Sequence, residues 1–237
     1  MRLDRYLCEL NLGTRSQVKR DIKAGLVSVN DRTILRPEEQ IRTDTDCICY
    51  KGQPCIYEEY VYYLLHKPAG VVSATRDRQD RTVLDLIGDT TRKDLFPVGR
   101  LDKDTEGLLL LTNDGALAHD LLAPGRHVEK EYECHLAHSF DERQRQLLEQ
   151  EMEIGEKKPV RPAVVQVLED KKITLTITEG KFHQVKRMLH AAGNEVVYLK
   201  RIRMGSLVLD DALPRGSFRR LTEEEVESLK HDRSGHL

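Results

Sequence analysis

No tryptophan occurs in this 237-residue chain, and phenylalanine occurs only four times. A core is therefore expected to rest on Leu, Val and Ile. The 39% hydrophobic content suffices for one large domain, or for a small module beside a larger one. Neither charge sign is in surplus: 38 Lys and Arg stand against 40 Asp and Glu, a net charge of -2. That balance excludes a bulk electrostatic grip on nucleic acid, so any such contact has to come from local basic patches. No apolar run approaches the ~20 residues of a membrane span. The segment from Met1 to Arg5 has no apolar signal core, so the expectation is a protein retained in the cytoplasm. The five cysteines (Cys8, Cys47, Cys49, Cys55 and Cys134) are odd in number and form no Cys-x-x-Cys pair. Neither a disulfide framework nor a zinc site is indicated. Both common glycine-rich phosphate-binding patterns are missing, as is any metal-ligand cluster, so no cofactor and no metal is expected. No internal repeat is found.

What the chain does contain is organised around Pro97-Val98-Gly99-Arg100-Leu101-Asp102-Lys103-Asp104-Thr105-Glu106-Gly107. Four leucines, Leu108 to Leu111, follow it and read as a short strand buried on both faces. The preceding segment carries an arginine and several carboxylates between two glycines and has neither helical nor strand period. Polar loops held by a buried strand are where binding and catalytic groups collect.

At the N-terminus, Leu3, Leu7 and Leu10 fall at helical spacing. Thr14 caps a second helix, with Gln17 placed to complete a capping box. Val18 and Ile22 face inward, while Arg15, Lys19 and Lys23 repeat every four residues along another face. Val27 and Val29 alternate into a strand. Lys51-Gly52-Gln53-Pro54 punctuates the chain, so the boundary is placed between about residues 51 and 60, giving domains 1–55 and 60–237.

Beyond it, strands are expected over residues 60–65 and 71–73, around the turn His66-Lys67-Pro68-Ala69-Gly70. Thr82 caps a short helix over 83–87, and another helix covers 116–122. Residues 128–136 alternate, with Lys130, Tyr132, Cys134 and Leu136 on one face. Asp141 caps a helix, and residues 163–168 and 172–178 form an antiparallel pair. A helix over 183–192 begins among Lys181, His183, Lys186 and Arg187. Cations there oppose the helix dipole, which points to a task other than helix stability. Lys200-Arg201-Ile202-Arg203 is expected to extend the basic surface. Thr222 and Glu225 box the last helix.

Gly-Arg-Leu-Asp followed by Thr-x-Gly-Leu-Leu-Leu-Leu-Thr-Asn-Asp-Gly resembles the signature motif of the RNA pseudouridine synthases. The nearest subfamily is the one acting on the small ribosomal subunit. Lys130-Glu131-Tyr132 is similar to that family's Lys-x-Tyr strand. Gly180-Lys181-Phe182-His183-Gln184-Val185-Lys186-Arg187-Met188 is similar to its third motif. Residues 1 to about 50 resemble the S4 RNA-binding module.

The resemblance implies an α+β chain: a small S4 module, then a catalytic domain built on a mixed, mostly antiparallel sheet, with two sub-domains flanking an RNA cleft. It implies Asp102 as catalytic residue, Tyr132 packing against the target base, and Lys186 as the basic partner of Asp102, with Arg187 as second choice. Arg100, His183, Gln184 and Arg187 would bind substrate at the site, and Arg15, Lys19 and Lys23 would do so on the S4 module. The implied reaction detaches uracil at N1 and rejoins it at C5, which needs no redox group. The implied partner is ribosomal RNA: position 516 of 16S rRNA in a partly assembled small subunit, met by a monomer. Three alternatives stay open: a large-subunit (23S) synthase, a glycosidase pairing Asp102 with Glu106 or Asp104, and a non-catalytic RNA-binding assembly factor.

Overall fold

A computed structural model describes residues 1–88, 92 and 94–232. The chain divides into two compact units, one of residues 1–61 and 87–95, the other of residues 62–86 and 96–237.

In the first unit, α1 (Leu3–Glu9) and α2 (Arg15–Lys23) precede four short strands, β1 (Val27–Val29), β2 (Arg32–Thr33), β3 (Ile48–Tyr50) and β4 (Gln53–Cys55). The strands form an antiparallel sheet in the order β2-β1-β3-β4. Thr14 Oγ1 accepts from the Gln17 amide at 3.3 Å, satisfying one of the amides that a helix start leaves open. Val18 and Ile22 are wholly buried with Leu3, Leu7 and Ile48, which leaves Arg15, Lys19 and Lys23 exposed on the opposite face of α2. Asp21 shares the buried side and accepts from Tyr50 Oη at 2.6 Å.

The second unit is built on β5 (Tyr62–Lys67), β6 (Phe96–Pro97), β7 (Glu106–Thr112), β8 (Lys130–Leu136), β9 (Val164–Glu169), β10 (Lys172–Ile177), β11 (Val196–Met204), β12 (Leu207–Val208) and β13 (Phe218–Arg220). The main path is β13-β5-β7-β11-β8-β10-β9, with β12 on β11 and β6 on β7. Among the described residues its pairings are antiparallel except β7 with β11. Every residue of β7 is buried, as expected for a central strand covered on both faces. Among the described residues, five α-helices accompany the sheet: α3 (Val83–Ile87), α4 (Gly115–Leu122), α5 (Glu142–Leu148), α6 (Gln184–Ala191) and α7 (Glu223–Asp232). Leu117, Ala118 and Leu121 of α4 join Leu108 and Leu110 in one core, where a fully buried leucine contributes ~1.5–3 kcal/mol.

Register aligns one row of residues across the sheet: Lys67, Gly107, Arg201, Tyr132 and Leu175. Gly107 sits in that row at φ 109°, and a β-carbon there would collide with the backbone nitrogen and oxygen of Arg201. Only glycine lets β7 and β11 meet at this point.

Two expectations need correcting. Residues 71–73 do not form a strand; Val72 makes a single bridge to Thr82, and the Ser73 hydroxyl is used elsewhere. Lys200 to Arg203 is not a basic surface but part of β11, a strand that the charge-dense sequence concealed. Arg201 is buried and donates to the Leu108 carbonyl at 2.8 Å, and Arg203 is paired with Glu131 and Glu129, each at 2.9 Å. No described helix is long and apolar enough to cross a membrane.

Candidate active site

The loop between β6 and β7 is tied down from its inner side. The Ser73 hydroxyl donates to the Leu101 carbonyl and accepts from the Leu101 amide, at 2.9 and 3.0 Å. Lys67, at the end of β5 and wholly buried, aims its ammonium at four carbonyls: Thr105 at 2.8 Å, Asp102 at 3.0 Å, Pro68 at 3.1 Å and Lys103 at 3.3 Å. The Gly70 amide takes a second bond to the Lys103 carbonyl, at 2.7 Å. With its main chain satisfied internally, the loop leaves the Asp102 side chain free to face outward. Burial pulls the Lys67 ammonium down to about 8, with Asp104, Asp102 and Glu106 pulling the other way.

Asp102 meets two groups from the start of α6. Lys186 Nζ lies 3.3 Å from Oδ2 and His183 Nε2 lies 3.4 Å from Oδ1. Lys186 also reaches the exposed carboxylate of Asp104 at 2.6 Å, and that bond holds the Asp104 carboxyl below the usual carboxylate range. Lys186, unfavourable toward the helix dipole, is thus answered by two carboxylates of another loop. Arg187 points elsewhere. It donates to Glu156 at 2.7 Å, to the Phe182 carbonyl at 2.9 Å and to the Ile154 carbonyl.

A pocket of 60 Å³ lies against Asp102, with Arg100, Tyr132, Ile177, Gln184 and Lys186 among its walls. Tyr132 is 7% exposed and Gln184 is buried, its Oε1 accepting from the Lys181 amide at 3.0 Å. Asp102 is the one carboxylate among the described residues lining this pocket. Glu106 is buried and accepts from Tyr198 Oη at 2.8 Å and from Arg215 at 3.1 Å, while Asp104 is committed to Lys186. Neither lines the pocket, so among the described residues no second carboxylate inside it faces Asp102 as a glycosidase would require. Arg15, Lys19 and Lys23 lie on α2 in the first unit; Arg15 and Lys19 line a 730 Å³ hollow there with Arg2, Arg5 and Thr14.

Residues 61–191, which carry Asp102, Tyr132 and Lys186, match the RNA pseudouridylate synthase family. The chain belongs to that family. Residues 1–46 of this synthase match the S4 domain. It is 46% identical to a protein described as an uncharacterized RNA pseudouridine synthase of Bacillus subtilis, over 97% of this chain and 98% of the relative. It is 38% identical to the ribosomal small subunit pseudouridine synthase A of Vibrio cholerae (97% of this chain, 99% of that one) and 36% identical to the one of Escherichia coli (97% and 100%). A crystal structure of a pseudouridylate synthase superposes with a TM-score of 0.70 at 37% identity, covering 97% of this chain and 99% of that one.

Sequence reading of this synthase missed Lys67 and Ser73. Both lie outside the long motif, and their effect on Asp102 arises only when β5 and the following turn fold against the loop. The His-Lys-Pro turn is the available signal, and by itself it specifies only a turn. The alternation of β8 puts Lys130 on the core face and specifies no partner for it. It is buried, donates to the Val128 carbonyl at 2.9 Å, and is pulled down to about 8 by burial and by Arg201.

Proposed function

We propose that this synthase converts one uridine of 16S rRNA, position 516, to pseudouridine during assembly of the small ribosomal subunit, acting as a cytoplasmic monomer without cofactor. The observation that carries the chemistry is that Asp102 is the one carboxylate among the described residues lining a small pocket, with Lys186 3.3 Å away and Tyr132 lining the same pocket. Lys186 sets a positive charge beside the Asp102 carboxylate, in a site that RNA covers on binding. Asp102 then acts on the target uridine as the N1–C1′ bond breaks, and the base turns and rejoins through C5. Tyr132 receives the unstacked base, whose release from the RNA costs a few kcal/mol in a helix and less in a loop. Arg100 takes the displaced strand or the gap it leaves. Arg15, Lys19 and Lys23 of the S4 unit track phosphates. The choice of 16S rRNA is supported by near full-length similarity to relatives named for the small subunit.

The test is tritium release from C5-labelled uridine in free 16S rRNA, a partly assembled small subunit and 23S rRNA. Wild type is expected to release tritium from a 16S substrate without freeing uracil. Asp102→Asn is expected to lose roughly 10³-fold or more of that rate while still binding RNA. Release from 23S rRNA alone would overturn the target.

A further inference from the structure

Phe182 is 73% exposed, and its neighbours hold it in that position. Its ring lies flat on His183, with centroids 3.8 Å apart and planes 17° apart, and His183 in turn approaches Asp102. His183 adopts φ 49°, a left-handed conformation that costs a residue with a β-carbon about 1–2 kcal/mol and persists only where surroundings impose it. They do so here from two sides. Arg187 clamps the Phe182 carbonyl while anchored to Glu156 and Ile154. Gln184 bonds the Lys181 amide through its side chain and the Lys181 carbonyl through its own amide, at 3.0 and 3.2 Å. A ring left in water contributes little to folding, so this bracing serves presentation of the ring.

Phe182 lines a 730 Å³ groove that also includes Arg100, Lys103 and Lys181. Three acids share the groove, and each is engaged: Asp102 by Lys186 at 3.3 Å, Asp80 by Lys103 at 2.6 Å, Glu179 by the Arg161 amide at 2.7 Å. An exposed aromatic face among cations is the combination that binds single-stranded nucleic acid, stacking on a base while the cations meet phosphates. Tyr132 lines the 60 Å³ pocket and not the groove; Phe182 lines the groove and not the pocket. The two rings therefore serve different bases.

We propose that the Phe182–His183 pair is a stacking platform for an unpaired RNA base flanking the target uridine, with Arg187 as its positioning residue. The proposal rests on the reading in which the target itself meets Tyr132. It is tested with Phe182→Ala, Phe182→Leu and Phe182→Trp, by filter binding of 16S rRNA, single-turnover tritium release and thermal unfolding. Alanine and leucine are expected to weaken RNA binding roughly 5- to 150-fold, the span of one lost base stack, and tryptophan to restore it. Rates at saturating RNA are expected to stay within about twofold of wild type, with unchanged melting temperatures. Wild-type affinity in Phe182→Ala would overturn the platform. So would leucine serving as well as tryptophan, or a saturating rate that falls as far as affinity. If wild type releases no tritium from any rRNA, the proposed target fails, and the platform is then decided by filter binding alone.

Discussion

Two neighbouring cations, Lys186 and Arg187, have opposite fates, and the difference decides the electrostatics of the site. One turn of α6 carries both, yet Lys186 faces Asp102 and Asp104 while Arg187 is spent on Glu156 and two carbonyls. Lys186→Met is expected to slow single-turnover tritium release roughly 10²-fold, the usual loss for one preorganised charge. Arg187→Met is expected to weaken RNA binding more than it slows the saturated reaction, because it releases the Phe182 loop and leaves the Asp102–Lys186 pair in place. Equal rate losses in the two variants would refute this division. A second residue-scale effect concerns Lys130, whose folded value of about 8 lies below its ordinary 10.5. Between those limits the unfolded chain still holds a proton that the folded chain has released, so this group's contribution to stability rises with pH across that window. Lys130→Met, with no charge to bury, is expected to be more stable than wild type at pH 7. That advantage should shrink from pH 8 to pH 10 in urea unfolding, and a constant difference would show that the ammonium is not its source.

At the scale of elements, β7 was legible because its four leucines are apolar on both faces and its flanks are turn residues. α3, α4 and the alternation in β8 were equally plain, since each is specified by local caps or by period. β11 was not. It is the strand beside β7, but its sequence, Val196 to Met204, carries Lys200, Arg201 and Arg203, which signal surface. Those charges are tolerated because each has a partner: Asp211 at 3.9 Å for Lys200, the Leu108 carbonyl for Arg201, two glutamates for Arg203. For the two arginines that compensation comes from segments distant in sequence and leaves no local trace. The contact at Gly107 is likewise invisible until β7 and β11 pair. Gly107→Ala is expected to cost about 3 kcal/mol or more, since backbone must move and φ 109° disfavours alanine. Denaturant unfolding measures it; a loss below about 1 kcal/mol would show that the two strands can separate cheaply.

For the whole molecule, chain order and unit membership differ. Residues 87–95 belong with the N-terminal unit although they follow β5 in sequence, whereas the sequence reading assigned everything from residue 60 to one domain. Arg92 shows why: it is buried and bonds the Glu58 carbonyl at 2.6 Å and the Glu9 carboxylate at 3.4 Å. With a net charge of -2, the molecule needs its cations gathered locally to hold RNA. Replacing Arg15, Lys19 and Lys23 together by Gln is expected to weaken RNA binding and to flatten the log–log salt dependence by about 2, three contacts at ~0.7 each on single strands. An unchanged slope would remove α2 from the RNA contact. The saturated reaction rate should be nearly unaffected, because none of the three lines the Asp102 pocket.

Local chemistry was enough to identify the motif around Asp102, the capped helices, the basic stripe on α2 and the alternating strand that carries Tyr132, because each depends on neighbours within a few residues. Folding supplied the rest: which of two adjacent cations meets Asp102, how Lys67 and Ser73 tie the loop, why position 107 is glycine, and what becomes of the charges on β11. Those outcomes depend on groups brought together from 28 to 94 residues apart. Hydrogen-bond and steric complementarity over such separations exists only once the strands have paired, so no periodicity or cap encodes it.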